Sequence, residues 1–308
     1  MPRLTPGRPG AVRSAGRRAA LSRLARLGAA AAFAGSGAAR AAAAASAPQR
    51  LVSVGGALTE IAYALGCEQE LVGVDTTSLY PEAATRLPSV GYARSLSAEG
   101  ILALAPTRLV ATEEAGPPAV LRQIADAGVA VNVLPANHRF EGMLDRVRRM
   151  GELTGRAQRA GSMAAALQAD WARVRRRIEA RAAPSPRVLF VLAHSPGQIM
   201  VSGRATNADA MIRYAGAANA VQDFDGFKPL GAEALIAARP DIVLLTEQGL
   251  KANGGVDRVL ALPGLSQTPA GAARRVVALE AMFLLGFGPR MPAALDALDV
   301  ALNGAQGA

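Results

Sequence analysis

Residues 96–113 read LSAEGILALAPTRLVATE, and residues 230–247 read LGAEALIAARPDIVLLTE. The two stretches align without a gap. Glu99 falls on Glu233, Pro106 on Pro240, and Thr112-Glu113 on Thr246-Glu247, with Arg94 opposite Lys228 in the same register. Each copy reads as a helix start, a helix, a proline break and a buried strand. A strand–helix unit met twice at this separation predicts two similar α/β halves in one chain. Two such lobes leave a cleft between them, where ligands preferentially bind.

Outward from the first copy the same alternation continues. RLVSVGG (50–56) predicts a strand ending in a glycine turn, and LTEIAYALG (58–66) a helix closed by Gly66. LVGVD (71–75), RLVAT (108–112) and VAVNVLP (129–135) predict further strands, with a helix over AVLRQIADAG (119–128). Strands separated by helices require crossover connections and therefore a parallel sheet covered on both faces. From about residue 140 to 183 no strand pattern occurs. FEGMLDRVRRMGELTG (140–155) and RAQRAGSMAAALQADWARVRRRIEARA (156–182) are helical by propensity and period, with a break at Gly155. A single helix of about 25 residues would be about 38 Å long, enough to join two lobes. Alternation resumes after APSP (183–186), with strands expected at RVLFVLA, DIVLLT and RRVVAL. The expected division is a leader over 1–47, an N-terminal lobe over 48–137, a helical linker over 138–184 and a C-terminal lobe over 185–308. Both lobes are expected to be Rossmann-like, with mostly parallel sheets.

The net charge of +10 suggests a polyanion partner until it is divided along the chain. Residues 1–47 hold eight arginines and no acid. The remainder, with 26 basic and 24 acidic side chains, is nearly neutral, which argues against nucleic-acid binding. The basic start, the short apolar stretch LGAAAAFAG and the small-residue run AARAAAAASAPQ have the pattern of an export signal. The Arg17-Arg18 pair suits a twin-arginine signal, with the general secretory route open as well. Cys67 is the sole cysteine, so no internal disulfide is expected, nor a lipid anchor at a processed N-terminal cysteine. The expectation is a soluble, monomeric, periplasmic protein.

Enzymatic signatures are missing: no P-loop, no H-E-x-x-H, no paired CxxC and no GxSxG at a strand–helix turn. With His138 and His194 as the two histidines, a multi-histidine metal site is not expected. Binding is favoured over catalysis. Tyr92, in VGYARSLSAEG (90–100), carries two readings. One is a tyrosine packed at a lobe edge, with Arg94 paired to a surface acid. The other is a phenolate oxygen ligating a hard ferric ion, as tyrosine does in some haem proteins. If the stretch is extended, Arg94 points to the same side and favours the phenolate. His138, in PANHRF, is expected to cap or pack at the start of the linker.

From about Leu51 onward the chain resembles the periplasmic haem-binding proteins of bacterial haem ABC importers. The class has two α/β lobes joined by a rigid helix and also includes cobalamin- and siderophore-binding proteins. The resemblance lies in GVDTTSLYPEAATRLPSVGYARSLSAEG, GRATNADAMIRYAGAANA, GFKPLGAEAL, GGVDRVLALPGLSQTPAG and LLGFGPR. It implies haem as the transported ligand, Tyr92 as an axial ligand to its iron, and Arg94 in support. His194 in FVLAHSPGQ is a second-ligand candidate, with a non-ligating histidine equally open, since relatives often have HGG where this chain has HSP. Lys228 and, more weakly, Arg204 are candidates to face the haem propionates, and Met282 and Phe283 to form an apolar wall. Glu99 and Glu233, one per lobe, resemble the acids that dock on an inner-membrane permease driven by its ATPase; first-turn helix stabilisation is the alternative. An outer-membrane haem receptor upstream is a further implied partner. The alternatives are the same fold carrying cobalamin or a ferric siderophore, or an exported haem-processing enzyme.

Overall fold

The computed structural model describes residues 2–3, 49–181, 185–195 and 198–306, except for the side chains of residues 193–195, 198 and 306. The expected export signal lies outside the described residues. Four strands, β1 (Leu51–Val54), β2 (Leu71–Val74), β3 (Arg108–Ala111) and β4 (Ala130–Val133), form one wholly parallel sheet in the order β2-β1-β3-β4. The order reverses between β1 and β3, and a crevice opens there at the carboxyl ends of the strands.

The second sheet has six strands. β5 (Arg187–Ser195), β9 (Ile242–Thr246) and β10 (Val276–Leu279) are parallel, and the two-residue strand β7 (Ala218–Asn219) pairs parallel to β5. β6 (Gln198–Ser202) and β8 (Phe227–Leu230) add an antiparallel ribbon on the other side, giving β10-β9-β5-β6-β8. β5, β9 and β10 follow the sequence expectation, whereas β7 and the ribbon were not anticipated. Its strands are short and β8 contains Pro229, which has no N–H to donate. Proline is tolerated here because β8 is the edge strand.

The internal repeat extends to the backbone. Ala105 and Arg239, each just before the proline, both adopt the left-handed conformation at φ 45°. Arg50 Nη2 donates to the Leu104 carbonyl at 2.7 Å, and Arg187 Nε to the equivalent Ala238 carbonyl at 3.0 Å. Each arginine immediately precedes or opens the central strand of its sheet, and its cation closes the carboxyl end of a short helix. Side-chain faces match as well. Val110 and Leu244 point into one core cluster, while Leu109 and Val243 point away into the outer clusters of their own sheets.

That shared inner core runs from Leu51 through the helices Phe140–Leu153 and Ala157–Glu179 to Val188 and Leu298. The second helix has 23 residues, so it is about 35 Å long. Trp171, midway along it, stacks on Phe140 at 4.3 Å and meets Tyr214 edge-on at 4.8 Å. The break between the helices falls where expected, with Gly155 at φ 70°. Among the described residues no helix is long and apolar enough to cross a membrane.

Candidate functional site: a cleft between the two sheets

A cleft of about 430 Å³ opens where the carboxyl edge of the first sheet faces the second. Its first wall is the turn after β1. Gly55 adopts φ 116°, and a Cβ there would lie 2.4 Å from Thr112 Cγ2; one on Gly56 would lie 2.4 Å from the Thr77 carbonyl oxygen. Only glycine lets this turn pass so close to its neighbours. Asp75, buried beneath, accepts from the Gly55 N–H at 2.9 Å and from Ser78 Oγ at 2.8 Å, fixing the turn.

Tyr92 and Arg94 both line the cleft. The stretch is extended only at Tyr92; Ala93–Ser95 form a 3₁₀ turn, which differs from the extended course expected for the pair. Tyr92 is half-exposed, at 48%, while lining the cleft. Arg94 donates to Glu114 through Nη2 at 2.7 Å and Nε at 3.3 Å. The arginine is thus paired with an acid, as in the edge-packing reading, while the tyrosine hydroxyl has no hydrogen-bond partner among the described residues.

Behind them is a second ion pair. Arg146, with 4% of its side chain exposed, pairs with Glu113 and donates through Nε to the Leu134 carbonyl at 2.8 Å. Glu113 Oε1 accepts from the Ala136 N–H at 3.1 Å. Burial alone would raise the Glu113 carboxyl, but the Arg146 charge and these donors hold it below the usual carboxylate range. Together these contacts clamp residues 134–138 onto the end of β3.

The opposite wall comes from the second sheet and the segment after β10. Glu280 accepts from the Met282 and Phe283 N–H groups at 2.8 and 2.7 Å, capping the helix Ala281–Leu285. This helix and the turn after it bring Met282, Leu285 and Phe287 to the cleft, and β8 brings Phe227. Phe283, expected beside Met282, instead packs under Arg290 at 5.2 Å.

The remaining sequence candidates lie elsewhere. Lys228 stands next to Phe227 but is not a lining residue, and its ammonium sits 5.1 Å over the Phe224 ring. Arg204 is paired with Asp225 at 3.0 Å on the exposed surface. The side chain of His194 lies outside the described residues. Glu99 and Glu233 occupy the first turns of the helices Ala98–Leu102 and Ala232–Ala238, both exposed and without an ion pair among the described residues. His138, expected to pack, lines the cleft and hydrogen-bonds Asn207 of the opposite half. Sequence reasoning missed it as a cleft residue because the approach of residue 207 is a long-range contact.

Among solved structures, the chain is 47% identical to the periplasmic heme-binding protein BhuT in complex with two hemes, with a TM-score of 0.81 over 83% of this chain and 98% of that one. It is 42% identical to the periplasmic heme-binding protein RhuT from Roseiflexus sp. RS-1 in apo form, at a TM-score of 0.81 over 84% and 99% of the two chains. An uncharacterized ABC transporter substrate-binding lipoprotein, YvrC of Bacillus subtilis, is 25% identical over 79% of this chain and 76% of its own length. Shorter matches, 29% to 36% identical, fall on vitamin B12-binding proteins. Residues 51–282 match the family model described as periplasmic binding protein, and this chain is a member of that family.

Proposed function

We propose that this protein captures haem in the cleft and delivers it to an inner-membrane ABC permease. The observation that carries this is the half-exposed phenol of Tyr92, without a hydrogen-bond partner among the described residues, in an apolar-walled cleft of a chain 47% and 42% identical to heme-binding proteins. The donor set fits ferric porphyrin: an oxygen that becomes a good ligand on losing its proton, a guanidinium two residues on, and a wall of Met282, Leu285, Phe227 and Phe287 for the apolar ring. The size of the cleft is ordinary for a small-molecule site.

In this proposal Tyr92 supplies the iron ligand. Arg94, held by Glu114, lies close enough in sequence to favour the phenolate, and His194 remains a second-ligand candidate. The apolar walls exclude water and provide most of the binding energy. The lobes over 48–137 and 185–308 are joined by the helical residues 138–184, and export over 1–47 would place the protein in the periplasm. Glu99 and Glu233 dock on arginines of the permease. No bond of the porphyrin is made or broken.

The test is a haemin titration of the protein beside Tyr92→Ala and Tyr92→Phe, followed by absorption. Saturable binding with a ferric tyrosinate spectrum, lost in both variants, is the expected result. Saturable binding of cobalamin with none of haemin would replace haem by the ligand of the vitamin B12-binding relatives.

A further inference from the structure

Haem carries two propionates, so an anionic ligand must find positive charge in or beside the cleft. The cationic side chains lining it are already engaged: Arg94 with Glu114, and Arg146 with Glu113. Of the basic residues expected for this task, Arg204 is paired with Asp225 and Lys228 lies over Phe224. His138 is the basic lining residue with no acidic partner among the described residues.

The setting of His138 is specific. Its backbone and that of Asn137 both adopt φ 53°, a left-handed conformation that a residue with a side chain keeps only where its surroundings hold it. The loop is held there by Arg146 at Leu134, by Glu113 at Ala136, and by the Tyr214 hydroxyl accepting from the Phe140 N–H at 3.3 Å. Asn207 Nδ2 donates to the Leu285 carbonyl at 2.6 Å, which fixes the amide so that its Oδ1 meets His138 Nδ1. An amide oxygen only accepts, so Nδ1 carries the proton. Nε2 has no protein partner among the described residues, and a proton taken up there would be shared with whatever anion enters the cleft.

We infer that His138, as an imidazolium oriented by Asn207, anchors a porphyrin carboxylate in the cleft. This rests on the haem reading above. Nδ1–H is held by Asn207 in either protonation state, so the orientation survives while the charge changes. The charged and titratable groups around it are Glu113, Glu114, Arg94, Arg146 and Tyr92 in the cleft, and the adjacent Arg139–Glu141 pair at 3.7 Å. The four ionised cleft groups cancel as two ion pairs, which leaves the imidazolium as the added charge.

The experiment measures haemin affinity for the wild type and His138→Gln at a series of pH values from about 8.5 to about 5.5. Because Tyr92 ligation has its own pH dependence, the readout is the ratio of the two affinities. It should be near one at the alkaline end and rise to about tenfold at the acidic end, the effect of one charge-assisted hydrogen bond. Haemin dimethyl ester, which lacks free carboxylates, should give a ratio near one throughout. A flat ratio with saturable haemin binding overturns the inference and leaves the proposed function standing. A ratio that falls with acid also overturns it, since that is the sign of an imidazole competing with protons for iron. Absence of saturable haemin binding by the wild type would overturn both.

Discussion

Tyr92 and Arg94 illustrate how one dipeptide step sets a site. The phenol stands half exposed at the cleft, and the guanidinium is anchored on Glu114. If Tyr92 is the iron ligand, as proposed, Arg94→Ala should weaken ferric haem binding less than Tyr92→Ala does, because it removes support for the phenolate and not the ligand; parallel haemin titrations check the order. Arg146 is the more demanding residue for stability. It is buried, and burial lowers its own pKa from the usual arginine value despite Glu113. Arg146→Met should cost about 3 kcal/mol in urea unfolding, because Glu113 loses its counter-charge and the Leu134 carbonyl its donor. The sign of the pH dependence follows from the lowered Glu113 pKa. The unfolded chain binds more protons than the folded one across that interval. The pair's contribution is therefore present above the ordinary glutamate range and lost as pH falls below it. In Arg146→Met that part of the acid limb should flatten.

The helix Ala157–Glu179 packs on the helices Phe140–Leu153 and Met291–Gln306 and contributes to the core that both sheets share. Its middle is fixed by Trp171 between Phe140 and Tyr214, so Trp171→Ala should cost about 3–5 kcal/mol, measured by denaturant unfolding. Its end is fixed to the C-terminal helix Met291–Gln306 by charge. Arg177 donates to Asp299 at 2.7 Å, and Arg181 grips the same carboxylate at 2.7 and 3.0 Å. Burial pushes the Asp299 carboxyl up, but the two guanidiniums prevail and hold it below the usual aspartate value. This stabilisation is complete above about pH 4 and disappears as acid protonates the folded carboxyl. Asp299→Asn should lower stability at neutral pH by about 2 kcal/mol, and by progressively less as pH falls below the ordinary aspartate range, so thermal melts across an acid series decide it.

Across the two halves, contacts are made at more than the linking helix. Arg290 holds the buried Glu60 through Nε at 2.9 Å and lies 4.1 Å over the Tyr80 ring. His138 meets Asn207 on another line. With one hydrophobic core shared between the sheets, these ties favour small adjustments of the cleft over a wide hinge motion. On the proposed reading, delivery depends on a rigid body presenting its two exposed acids, Glu99 and Glu233. Glu99→Ala and Glu233→Ala should bind haemin with unchanged affinity yet stimulate a reconstituted permease's ATPase poorly, with the wild-type stimulation weakening as salt rises. Equal stimulation by the variants would return both acids to helix support.

Local rules suffice for much of this protein. Alternation of apolar runs with helical periods specifies the four strands of the first sheet and β5, β9 and β10 of the second, and Gly66, Gly155 and Pro106 mark where elements stop, because these residues act on their own backbone. The repeat at Glu99 and Glu233 specifies two like halves. The antiparallel ribbon of β6 and β8 was not legible, since a short strand containing Pro229 is recognised by its edge position and not by its composition. The fate of each cation was equally hidden. Arg94, Arg204 and Lys228 read alike as charges near a ligand, but Glu114, Asp225 and the Phe224 ring, which engage them, are brought near by turns and strand pairing that the spacing of the cations does not reveal. His138 became a cleft residue through Asn207, 69 positions away. Helix and strand follow from periods of a few residues, whereas a binding site is a coincidence of distant segments, and folding is what brings them together.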